Sequence, residues 1–203
     1  MNLTTSQQHV IVDEMDWDTA LQTCVDLDSI IVSIHSRQHN EFLINMTLQV
    51  QPSDAIEMYA FWIGYYDVYN FSRWISGEYW KNFHWIDGSM NDYLNWGITY
   101  SGVIEPDYYL MALTPYLANR SCVVLLADYQ GTIAYWQWMK TKWFDDNYGC
   151  QTMYSGTICQ KDSNIQLNTT EANDIEFVCD EGWTKYGVKN ARNQTKDMCY
   201  LVS

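Results

Sequence analysis

Residues 16–52 read DWDTALQTCVDLDSIIVSIHSRQHNEFLINMTLQVQP. Asp16 is a side-chain acceptor ahead of Trp17, Ala20, Leu21, Cys24 and Leu27, apolar positions close to a 3.6-residue period, so a capped helix begins there. Residues 29–34 are a short apolar strand or bend. Ser36 caps a second helix carrying Phe42, Leu43, Met46 and Val50 on one face, and Pro52 closes it. Outside this stretch the helical period disappears. Residues 10–12 upstream are a short strand, and 61–64 downstream a buried one. Residues 65–120 are rich in turn residues, Trp and Tyr. The unbroken apolar run 122–127 (CVVLLA) predicts a central strand buried on both faces. Residues 132–140 and 155–160 are expected to complete the sheet. Two helices followed by strands and long loops define an α+β domain.

The composition narrows the class. Among 203 residues, 11 Lys+Arg face 25 Asp+Glu, a formal charge of −14. A nucleic-acid or anionic-membrane surface needs clustered cations, so both partners are excluded. With 47% hydrophobic and 16% aromatic residues, the chain has the bulk for a sizeable core. No run of 18 apolar residues occurs, hence no membrane segment.

Six cysteines (Cys24, Cys122, Cys150, Cys159, Cys179, Cys199) form an even set without the close C-x-x-C pairing of a zinc knuckle. Fourteen Asn and 28 Ser+Thr give about two N-x-[ST] triplets by chance; six occur, at Asn2, Asn45, Asn70, Asn119, Asn168 and Asn193. Paired cysteines and excess glycosylation sequons indicate a secreted, extracellular protein. Residues 1–20 carry neither a basic n-region nor an apolar h-region, so either the protein is cytosolic with six free thiols or the chain lacks its true start, and the domain pattern below favours the second.

Residues 10–161 resemble a C-type lectin-like domain. The resemblance rests on Trp17-x-x-Ala20-x-x-x-Cys24, Ser33-Ile-His-Ser36, Asn40-Glu-Phe-Leu43, Trp62-Ile-Gly-Tyr65, Trp85-Ile-Asp-Gly-Ser89, Tyr93-x-Asn-Trp96, Cys122, Trp143-x-Asp145, Cys150 and Cys159, in that order. It implies two helices flanking a mixed, mainly antiparallel sheet with long irregular loops, bridged by Cys24–Cys159 and Cys122–Cys150. The tail, with Cys179-Asp-Glu-Gly-Trp183 and Cys199-Tyr200, resembles the opening of a second such domain with its own Cys179–Cys199 bridge. The expected organisation is a lectin-like domain at 1–161 whose opening strand pair is missing, a polar linker at 162–176, and the truncated start of a second domain at 177–203.

The resemblance also implies where calcium and sugar would sit. The family places calcium ligands in a loop triplet with a cis proline and in a Trp-Asn-Asp strand. Here the triplet is Glu105-Pro106-Asp107 and the strand Trp143-Phe144-Asp145, so Glu105, Asp107 and Asp145 are the candidate calcium and sugar ligands. Phe144 stands where an amide should be, and a phenyl ring has no lone pair for calcium, which takes about 6–8 oxygens. Asp146 and Asn147 are the nearest substitutes. Calcium binding is therefore expected to be weak or absent. Trp62, Trp85, Trp96 and Trp143 fall on core positions, whereas Trp74, Trp80, Tyr108 and Tyr109 lie in loop insertions where a ring could stack on sugar. His35 and His39 are four apart but lack a third metal ligand.

No Gly-x-Ser-x-Gly, Walker loop, His-Glu-x-x-His or Gly-x-Gly-x-x-Gly is present. The adjacent Asp145 and Asp146 would point to opposite faces of a strand, a poor acid–base pair. No enzyme is expected. Three readings compete: a secreted carbohydrate-binding module acting on a glycan or glycoprotein, a calcium-independent domain that binds protein, and a degenerate fragment with no ligand.

Overall fold

The computed structural model describes residues 5–52, 57–68, 82–98, 105–106, 120–146, 150–163, 183–189 and 195–201. Strand β1 (Thr5–Met15) runs into helix α1 (Trp17–Asp26), where Asp16 Oδ1 accepts the Thr19 N–H at 2.8 Å. The helix buries Trp17, Ala20 and Cys24. After the two-residue β2 (Ile30–Ile31), Ser36 Oγ accepts the His39 N–H and starts α2 (Arg37–Gln49). Leu43 and Met46 of the predicted face are buried, while Phe42 and Val50 pack at its margin. The face is wider than its apolar residues: Asn40 is buried too, because its Oδ1 accepts the Trp143 indole N–H at 2.8 Å.

The sheet follows with β3 (Met58–Val68), β4 (His84–Trp85), β5 (Arg120–Tyr129), β6 (Trp143–Asp145), β7 (Tyr154–Ser163), β8 (Trp183–Lys189) and β9 (Thr195–Leu201). Its order is β6-β5-β3-β7-β1-β9-β8, with β2 added to β7 and β4 to β3. Only β3–β7 and β1–β9 are parallel among the described pairs, so the sheet is mixed and mainly antiparallel.

The period of two along β3 and β5 gives the sheet two apolar faces. Phe61, Ile63, Val123 and Leu125 join Leu43 and Ile44 of α2 on one side. Trp62, Cys122, Val124 and Leu126 join Trp17, Ala20 and Cys24 of α1 on the other. The two helices thus flank the sheet, the architecture the resemblance implies. The bridges Cys24–Cys159 and Cys122–Cys150 are both formed. Cys179, needed for the third, lies outside the described residues, as do 164–176 of the expected linker.

One element differs from expectation. Residues 132–140, read as a strand, contain a helix instead, α3 (Ala134–Met139). Its aromatic residues favour strands, but β propensity yields to packing. Helical geometry aligns Tyr135 and Met139, four apart, on the inward side; Met139 is fully buried while Trp138 is exposed. The tail, read as the opening of a second unit, forms the β8–β9 hairpin, which joins the same sheet through β1.

Candidate functional site

Residues 95–97 are laid against β6 by backbone bonds, and Glu105 is bonded back to Gly97. The Trp143 N–H donates to Asn95 O, the Gly97 N–H to Trp143 O and the Glu105 N–H to Gly97 O, at 2.9–3.0 Å. A Cβ at Gly97 would stand 2.1 Å from Met139 Cε of α3, so a larger residue there would have to displace that side chain. The chain is thereby clamped between β6 and the inserted helix. The Glu105–Pro106 peptide is cis, as the resemblance implies for the triplet.

The candidate ligands are placed as follows. Glu105 is 3% exposed, and its Oε1 accepts the Tyr135 hydroxyl of α3 at 2.6 Å. Asp145, 2% exposed at the end of β6, accepts the Ser121 hydroxyl of β5 at 3.3 Å. Phe144, between Trp143 and Asp145 in the strand, points to the other face. It packs edge-on against Trp136 of α3 at 5.1 Å and Tyr154 of β7 at 5.9 Å. Asp107 and Asn147 lie outside the described residues, as do Trp74, Trp80, Tyr108 and Tyr109.

Asp146, a nearest substitute ligand, is engaged inside the fold. It is buried, with Oδ2 accepting the Cys150 N–H at 2.9 Å and Oδ1 the Thr152 hydroxyl at 2.7 Å. The Tyr154 hydroxyl donates to the same Oδ1 at 3.5 Å. Burial, with the Asp146 carboxylate beside it, pushes the Tyr154 phenol far above its ordinary range. Asp146 is therefore the acceptor that closes the turn into Cys150.

The candidate donors among the described residues are engaged within the fold. Glu105 already accepts a hydroxyl, Asp145 is turned to Ser121, and Phe144, its neighbour in the strand, presents only hydrocarbon. Among the described residues, no three His, Cys, Asp or Glu side chains gather at a metal-sized site. His35 pairs with Asp92 and His39 contacts Gln8, on separate partners. Trp62, Trp85 and Trp143 are fully buried in the core and Trp96 packs at its edge. The residue that sequence reasoning missed is Tyr135, since nothing local marks a tyrosine 30 positions after Glu105 as its partner. The exposed ring on the same helix is Trp138, 66% exposed.

No model of a known protein family matches the sequence. Solved structures do resemble it. The mouse scavenger receptor C-type lectin carbohydrate-recognition domain is 22% identical with a TM-score of 0.50, over 80% of this chain and 94% of that one. Human lithostathine is 19% identical at 0.50, over 77% and 91%. The Ca2+-independent C-type lectin SPL-2 from Saxidomus purpuratus is 18% identical at 0.50, over 77% and 86%. The chain has the C-type lectin-like fold. Its described residues contain no helix long and apolar enough to cross a membrane.

Proposed function

We propose that this protein is a secreted, non-catalytic carbohydrate-binding module that orders its ligand loop without calcium. The observation that carries the reading is helix α3. Its inner side closes on the loop through Tyr135 and Glu105, while its outer side leaves Trp138 exposed. A cation in such a loop fixes carboxylates in place; here a phenol does so from within the chain. Trp138 supplies a flat apolar surface for the C–H face of a pyranose ring. The likeness to lectin domains, one of them described as Ca2+-independent, supports this assignment. The two bridges and the sequons, including the exposed Asn45 on α2, support an extracellular setting.

A glycan array probed with the secreted protein, once in chelator and once in 10 mM calcium, tests the reading. The expected result is the same set of retained glycans in both, lost on Trp138→Ala. Retention only in calcium overturns the metal-free site. No retention in either condition favours the protein-binding alternative, for which Trp138 and the exposed Ile133 would form the contact.

A further inference from the structure

We propose that the β8–β9 hairpin is an exchangeable arm, and that the outer edge of β1 is the seat on which the hairpin of a second copy docks. β7 pairs with one side of β1 from Thr5↔Ser163 to Met15↔Tyr154, leaving the other side as an edge. Soluble proteins guard such edges with charges, proline or bulges. Residues 5–12 carry none of the first two, and the register shift lies beyond them, between Val12 and Met15. This edge is built to accept a strand.

What occupies it is a short ladder. β9 pairs with β1 only from Gln7↔Cys199 to His9↔Leu201, in parallel, the weaker arrangement per residue. The hairpin's own ladder is longer, running from Trp183↔Leu201 to Lys189↔Thr195. The hairpin therefore detaches as a unit more readily than it comes apart.

Charge favours docking on any copy of this chain. Residues 183–201 carry four cations (Lys185, Lys189, Arg192, Lys196) against one acid, Asp197. The rest of the chain carries seven cations against 24 acids. A cationic arm meets an acidic body, which steers association. Nineteen residues separate Ser163 from Trp183. Extended, that length spans roughly 60 Å, enough for the arm to reach its own edge or a neighbour's. Reciprocal exchange covers both edges and closes as a two-fold dimer.

Single thiols placed at a register pair distinguish the cases. His9→Cys in one full-length copy and Leu201→Cys in another can bond to each other only between copies. Mixed above about 0.1 mM under mild oxidation, they are expected to accumulate a non-reducible-by-dilution, thiol-sensitive dimer of twice the chain mass, in excess of either variant alone. The chain carrying both substitutions, kept dilute, should close on itself as a monomer, because a short tether holds the arm at an effective concentration near millimolar. A mixture that stays monomeric while the double variant closes overturns the exchange. A double variant that fails to close overturns the docking edge itself.

Discussion

The two ends of the β5–β6 hairpin are held by different means. Where β5 begins, Cys122 is bridged to Cys150, and Asp146 accepts hydrogen bonds from Cys150, Thr152 and Tyr154. Where β5 ends, the chain turns through α3, and the Tyr135 hydroxyl reaches Glu105. The first end is fixed by a covalent link and a buried carboxylate. The second rests on noncovalent packing and presents an exposed Trp138. On the proposed reading, the contrast separates stability from recognition: the closed end holds the fold, and the other end is the one proposed to meet a ligand.

The comparison breaks first at the disulfides. Cys24–Cys159 spans 135 positions and Cys122–Cys150 spans 28. Loop-closure entropy assigns the longer bridge about 5 kcal/mol and the shorter about 3.6 kcal/mol. Chemical denaturation of the paired Cys→Ser variants should show losses in that order. Equal losses would mean that entropy of the unfolded chain is not what the bridges supply.

Phe144 is the next point of attack. Its ring lies 3% exposed among Trp136 and Tyr154. Phe144→Asn should cost roughly 3–5 kcal/mol in denaturant unfolding, the range for emptying a buried aromatic site. It should not create calcium affinity, because the side chain points away from the face of Asp145. A stable variant that binds calcium would show that Phe144 lines the ligand site after all.

Alkaline titration sharpens the contrast least but reads the interior directly. Burial pushes the Tyr59 and Tyr65 phenols up to about 12. A group whose folded value exceeds its unfolded value of about 10 adds stability that is present below pH 10. That contribution drains away as pH rises toward 12. Absorbance of phenolate followed against pH should show these two rings ionising together with unfolding, whereas an early independent ionisation would place them nearer solvent.

The legible parts of this molecule were those with local chemistry. Asp16 and Ser36 announce their helices because a cap acceptor precedes an apolar period, and both accept the bonds foreseen. The apolar run 122–127 announces β5, buried on both faces because clusters lie on either side of the sheet. Helix α3 was hidden because Tyr135, Trp136 and Trp138 are strand formers by propensity, and six residues are too few to show a period. The disulfide pairing came from resemblance to a family, not from spacing. At the site, Phe144 was legible as a ring without a lone pair, but its role as packing against α3 depends on an element the sequence did not reveal. The function of Asp146 was equally hidden, since its partners fold back from residues 150–154.

The central claim is that Tyr135 holds the Glu105 loop without a cation. Thermal melting of the unmodified protein in 10 mM calcium against excess chelator tests it most directly. A calcium Kd of 1 mM would add about 1.4 kcal/mol and raise Tm by roughly 3–6 °C for a chain of this size. The account predicts a shift below about 1 °C, with Tyr135→Phe lowering Tm equally in both buffers. A chelator-reversible rise of several degrees in the unmodified protein would contradict it.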